Sequence, residues 1–161
     1  MFKSDVELKQ YSNYKIGGAA RHFYVAKNAE DVARAAVQAV SDKLPVFILG
    51  GGTNLLINDN GFNGLVLKPE ITLLKSEGEM IRVGAGVLVE DLLNFSASKG
   101  LSGFEWAGGL PGTVGGAIRG NAGAFRGETK DNLYEVTSLD ISGKTPKILK
   151  RNNIQCKFGY R

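Results

Sequence analysis

Three consecutive glycines, Gly50, Gly51 and Gly52, follow the apolar run Val46-Phe47-Ile48-Leu49 and are closed by Thr53 and Asn54. Residues without a Cβ reach positive φ readily and leave a row of backbone N–H donors bare, which equips a turn to wrap an anion such as a pyrophosphate. Leu55-Leu56-Ile57 follow at once and are predicted to return to β structure. A Walker A loop ends in Lys-Ser/Thr and opens a helix, and a dinucleotide-binding fingerprint also opens a helix, so both are disfavoured here. A second glycine-rich stretch runs from Ala107 to Ala124. Pro111 suits the first position of a short helix, which would leave the N–H groups of Gly112, Thr113 and Val114 pointing at a negative charge. Gly115 and Gly116 would let a ligand or a neighbouring backbone come close. Tight turns alone explain either stretch, whereas two of them in 161 residues favour a large phosphate-bearing ligand.

The elements that must position these turns read as mixed α and β. A strand is predicted over 21–26, and Asn28 can cap a helix in which Val32, Ala35, Ala36, Ala39 and Val40 share a face. Pro45 starts the strand that feeds the first glycine turn, and Gly64-Leu65-Val66-Leu67 closes a first lobe, 1–67. Pro69 lacks a ladder donor and biases Lys68 toward extended geometry, so a second lobe is expected over 68–161. It begins with strands at 71–74 and 80–84 and a helix over 88–99 carrying Leu88, Leu92 and Phe95 on one stripe, stopped by Gly100. Residues 134–141 and 145–149 flank Ser142-Gly143-Lys144 as an antiparallel hairpin.

Composition agrees with a folded, soluble chain: 43% of residues are hydrophobic and no stretch approaches the apolar length that spans a bilayer. Residues 1–5 lack the apolar region of a signal peptide, so a cytoplasmic location is expected. The net charge of +4 is local. Residues 141–161 carry six Lys and Arg and no acidic residue, leaving 14 basic against 16 acidic residues elsewhere. A solvated hairpin face explains this better than a surface steering a diphosphate substrate, and nucleic-acid binding, with no stacking aromatics, comes last. Cys156, the single cysteine, reads as a packed strand residue, and no metal site is assigned. His22, the single histidine, sits in an alternating strand and reads as structural, as do Phe104 and Trp106.

Tyr14-Lys15-Ile16-Gly17-Gly18, then Leu49 to Leu56, Gly109 to Ala117, Asn121 to Ala124 and Phe158-Gly159-Tyr160-Arg161 resemble, in order and spacing along the whole chain, UDP-N-acetylenolpyruvoylglucosamine reductase. The resemblance implies an α+β, two-lobe FAD-binding domain of the vanillyl-alcohol-oxidase (PCMH) type, with the cofactor's pyrophosphate between the lobes. It implies reduction of UDP-N-acetylglucosamine enolpyruvate to UDP-N-acetylmuramate in peptidoglycan precursor synthesis, with FAD and NADPH as the hydride donor. On it, Gly50, Gly51, Gly52, Thr53, Asn54 and Leu55 would hold the diphosphate. Pro111, Gly112, Thr113, Gly115, Gly116, Asn121, Gly123 and Ala124 would line the other wall, nearer the isoalloxazine. Neither glycine cluster contains His or Cys, so the FAD is expected to be noncovalent and dissociable.

Arg161 is the catalytic candidate. The resemblance places it against the substrate's enolpyruvyl group, where charge developing toward the carboxylate needs a fixed cation, and a guanidinium stays charged and offers a two-pronged donor. Tyr160 is a second substrate contact. Members of the family continue through a substrate-binding domain that holds a serine proton donor and a glutamate, so the chain is expected to be an N-terminal part, inactive by itself and open to self-association. Two alternatives stand beside this reading: another FAD-dependent oxidoreductase of the same fold, and a non-catalytic nucleotide-binding module.

Overall fold

A four-stranded sheet organises the first part of the chain. The computed structural model describes residues 2–143 and 145–159. They fall into two units, residues 2–71 with 139–143 and 145–147, and residues 72–138 with 148–159. In the first unit β1 (Lys3–Glu7), β2 (Ala19–Ala26), α1 (Ala29–Ser41), β3 (Val46–Ile48) and β4 (Phe62–Pro69) succeed one another. The strand order is β1-β2-β4-β3, with β1 antiparallel to β2 and the other two pairings parallel.

β4 is central, and its residues Gly64 to Leu67 are all buried. Strand alternation sends Val66 to one core with Leu8, Ala20, Phe23 and Leu49, and Leu65 and Leu67 to a second core with Ala26, Ala35 and Ala39. The second core is covered by α1, whose N-cap is Asn28: its Oδ1 accepts the Asp31 N–H at 2.8 Å. Val40, expected on the buried stripe, is 48% exposed. Eight residues after Val32 an α-helix has turned about 80° past it, away from Ala35 and Ala39, which puts Val40 at the stripe's edge.

The predicted strand at Leu55-Leu56-Ile57 is not formed. β3 and β4 are parallel neighbours, so the segment 49–61 must carry the chain back to the opposite end of the sheet before β4 begins. Leu55 and Ile57 pack against the first core on that return, while Leu56 is 78% exposed.

The second unit contains β5 (Leu74–Glu77), β6 (Met80–Val83), α2 (Val89–Ser98), α3 (Val114–Gly120), β7 (Gly123–Ala124) and β8 (Gly127–Glu128). Val87, Leu92 and Val114 form its core, joined by Leu74, Ile81, Val83, Phe104 and Ile118. The strand expected over 71–74 begins only at Leu74, because its register is set by the hairpin with β6, Leu74 facing Val83 and Glu77 facing Met80. Leu88 stands just before α2 as its N-cap and is half exposed rather than on the buried stripe. Gly100, at φ +68°, ends that helix as expected. β9 (Glu135–Asp140) and β10 (Lys147–Asn152) pair as a separate two-stranded sheet. Cys156 is not in a strand but closes a one-turn helix, α4 (Asn153–Cys156), whose N-cap Asn152 accepts from the Gln155 N–H.

Lys68 and Pro69 are the last residues of β4, paired with Val25 and Ala26, and the first unit continues to Ile71. Residues 139–147 also group with the first unit, whereas the reading by sequence gave 68–161 to one lobe. No helix among the described residues is long and apolar enough to cross a membrane, and none of their His, Cys, Asp and Glu side chains cluster in threes that could hold a metal.

Candidate cofactor site

In the first unit the Gly50-Gly51-Gly52 turn follows β3 at the start of the return segment. Among the described residues, the N–H groups of Gly50, Gly51, Gly52 and Asn54 donate to no other group. Backbone donors left bare at a turn without side chains are what an anionic diphosphate requires, since they approach closely and bring no charge that must be desolvated. The three glycines do not serve the same purpose. Gly52 is buried at φ +68°, and a Cβ there would stand 1.7 Å from the Tyr11 carbonyl oxygen. Its bareness therefore admits the protein's own backbone. The Gly52 carbonyl accepts the Asn13 N–H at 3.1 Å, while Gly51 and Asn54 are exposed. Leu55 turns inward to the first core. A similar close crossing lies next to it: a Cβ at Gly18 would stand 2.0 Å from the Asp59 carbonyl oxygen, and one at Gly61 1.9 Å from that of Ala19.

In the second unit the helix expected to open at Pro111 opens instead at Val114, with Thr113 as N-cap. Its first donors are already used. Val114 N–H donates to the Val87 carbonyl at 2.8 Å, Gly115 N–H to that of Ala85 at 3.0 Å, and Gly116 N–H to Thr113 Oγ1 at 3.4 Å. The physical reason is an antiparallel bridge between Leu88 and Thr113, which draws this segment against residues 85–89 before the helix can begin. Gly115 is bare for that packing: a Cβ would meet the Ala85 Cβ at 2.8 Å. Gly116 is exposed, with only Thr113 Oγ1 within reach of a Cβ, at 3.5 Å.

Asn121 closes α3 in the left-handed conformation, φ +42°. Its side chain is committed to the protein, Nδ2 donating to Glu128 at 2.7 Å and to the Gly159 carbonyl at 3.4 Å, and Oδ1 accepting the Lys130 N–H at 3.1 Å. The Lys130 ammonium, and then the Asn121 amide, hold the Glu128 carboxyl below its ordinary pKa. Gly123 and Ala124 form β7 against β8, a short hairpin the sequence reading did not contain.

His22 lies in β2, half-buried, its ring 6.0 Å from that of Phe2. Trp106 packs on Gly127 and donates its indole N–H to Asn132 at 2.9 Å, and Phe104 joins the second unit's core. On the basic hairpin Lys150 pairs with Glu135 at 3.5 Å and Arg151 donates to Ser138 at 2.7 Å. Tyr160 and Arg161 lie outside the described residues. Sequence reasoning missed Tyr11, Ser12 and Asn13, which pass under the glycine turn. Their signal was the polar pair Ser12-Asn13 directly before the Tyr14-Lys15-Ile16-Gly17-Gly18 motif.

A family model for the FAD binding domain matches residues 20–148. The UDP-N-acetylenolpyruvoylglucosamine reductase of Protochlamydia amoebophila (strain UWE25) is 40% identical over 161 residues, covering 99% of this chain and 53% of its own length. That of Clostridium novyi (strain NT) is 34% identical, covering 98% and 54%. The chain thus spans about half the length of the curated relatives it matches. The crystal structure of the reductase from Thermus caldophilus superposes with a TM-score of 0.81 at 31% identity, over 100% of this chain and 56% of that one. A cholesterol oxidase from B. sterolicum, at 16% identity, TM-score 0.67 and 94% and 32% coverage, shares the fold alone. The fold is the α+β FAD-binding fold that the resemblance implied, and the resemblance to the reductases extends along the whole chain. With a bare donor turn in the first unit and a matching family model across both, the chain belongs to the FAD binding domain family.

Proposed function

We propose that the chain is the FAD-holding part of a UDP-N-acetylenolpyruvoylglucosamine reductase, which makes UDP-N-acetylmuramate from UDP-N-acetylglucosamine enolpyruvate for peptidoglycan synthesis in the cytoplasm. The observation that carries the cofactor assignment is the set of unengaged N–H groups at Gly50, Gly51, Gly52 and Asn54, which suits a diphosphate. The substrate assignment rests on the reductases to which the chain is 34–40% identical. When bound, the flavin supplies the hydride that NADPH provides.

In this reading Gly50, Gly51 and Asn54 bind the diphosphate through the backbone, and Thr53 adds a hydroxyl. Gly116, exposed and without a Cβ, leaves room on the second unit for the flavin to approach. The absence of His and Cys from both clusters makes the attachment noncovalent. Arg161 supplies the fixed cation for the enolpyruvyl carboxylate, and Tyr160 is a second substrate contact.

The test is the visible spectrum of the chain after incubation with excess FAD and desalting. A flavin spectrum that is released on denaturation is expected. A folded but colourless chain would overturn the cofactor assignment for this part of the protein. NADPH oxidation by the full-length protein, dependent on the enolpyruvyl nucleotide, tests the reaction; oxidation that the nucleotide does not stimulate would overturn it.

A further inference from the structure

We infer that Ser12 is a positioning residue for the cofactor turn, acting through the strap Tyr11–Tyr14 that runs beneath Gly52. This rests on the FAD reading above. The strap's backbone passes so close that only glycine fits opposite it, with the Tyr11 carbonyl oxygen 1.7 Å from where a Gly52 Cβ would be. It is tied to the turn by the Asn13 N–H, which donates to the Gly52 carbonyl at 3.1 Å. Because the peptide is planar and trans, pinning that carbonyl toward the strap fixes the plane of the peptide that closes the three-glycine row, and with it the end from which the row's backbone is held. The turn's donors are thereby arranged before any anion arrives, and preorganised donors lower the ordering cost of binding.

The strap's own shape depends on Ser12. Its residue is 1% exposed, yet polar, and its Oγ accepts the Tyr14 N–H at 3.2 Å while its carbonyl accepts the Lys15 N–H at 3.1 Å. This is a side-chain-closed turn, which bends the chain so that the Asn13 N–H faces Gly52. One end of the strap is anchored independently by Tyr11, whose ring stacks on Phe23 with centroids 4.8 Å apart. Packing alone would be met by alanine at this buried position. A hydroxyl there is explained by the bend it holds, because a buried polar group is disfavoured unless it is hydrogen-bonded.

The test compares Ser12→Ala and Ser12→Thr with the parent chain, reading the FAD dissociation constant by flavin fluorescence and the melting midpoint of the FAD-free chain. Ser12→Ala is expected to weaken FAD binding about tenfold with a shift of only a few degrees in melting. Ser12→Thr, which keeps the hydroxyl, is expected to bind within about threefold of the parent. FAD binding by Ser12→Ala within twofold of the parent, or equal weakness in both variants, would overturn the inference. Amide exchange on the parent gives a check that needs no variant to fold. The Asn13 and Tyr14 N–H groups should be protected without FAD, and those of Gly50 to Gly52 only with it; protection of the glycines before FAD is added would equally overturn it. A parent chain that does not bind FAD at all would sink the cofactor reading and the inference with it, whereas a parent that binds and variants that bind alike would sink only the inference.

Discussion

At Gly52 two constraints coincide, a φ of +68° and a carbonyl oxygen 1.7 Å from the missing Cβ. The first disfavours any L side chain by about 1–2 kcal/mol, and the second can be relieved only by moving backbone. Gly52→Ala is therefore expected to lower stability by about 3 kcal/mol or more, measured by urea unfolding. Gly116 is the opposite case, since a Cβ there meets one atom at an ordinary 3.5 Å and the residue lies within α3. Gly116→Ala is expected to stabilise the FAD-free chain by about 0.5–1 kcal/mol. If its bareness serves the flavin, FAD affinity falls while the melting temperature rises; parallel movement of the two would show that Gly116 is a helix residue only. Glycine strings are visible in the sequence, but which glycine faces ligand and which faces protein is not, because that depends on residues such as Tyr11, about forty positions away in the chain.

Among the elements, α1 was the most legible, because cap and stripe are local signals. Asn28→Ala removes the acceptor for Asp31 N–H and is expected to cost about 1 kcal/mol in urea unfolding. Acid sensitivity belongs to the end of β4, where Glu70 pairs with Lys27 and, at 3.1 Å, with Lys68. The hydrogen bond from Lys27, then that from Lys68, holds the Glu70 carboxyl below its ordinary 4.5. A carboxyl whose folded pKa lies below its unfolded one adds stability above the unfolded value and loses it as pH falls through the folded one. The contribution is thus present above about pH 4.5 and declines below it. Glu70→Gln should flatten that acid limb of stability against pH without changing its slope above pH 6; an unchanged acid limb would show that the pairs contribute nothing. The elements misplaced by sequence, at 55–57, 71–73 and 111–113, share one cause. Each is an apolar or Pro-led run whose pairing was decided by a distant partner: the parallel return to β4, the hairpin with β6 and the bridge to Leu88.

For the whole molecule the central expectation is linkage. A ligand that binds only the folded chain adds about 2.7 kcal/mol at a hundredfold excess over its dissociation constant. For a chain of this size that corresponds to a rise of about 5–10 °C in melting temperature on adding FAD. Adenosine diphosphate, which carries the same diphosphate without the flavin, should give a smaller rise; an equal rise would favour a plain nucleotide-binding module.

What the sequence determined by itself was the kind of protein: two glycine turns without a helix-opening lysine, a capped amphipathic helix between strands, and motifs in the order of the reductases. These are local or additive properties, readable because each depends on a few neighbouring residues. Tertiary structure decided how the turns are used. It assigned Gly52 and Gly115 to backbone and side-chain packing, spent the first donors of α3 on residues 85 and 87, and committed the Asn121 side chain to Glu128 and Lys130. It also placed a buried serine beneath Gly50, Gly51 and Gly52, whose N–H donors stay free. A donor's availability is settled by whichever acceptor the fold brings to it, and acceptors far apart in sequence are brought together only by packing.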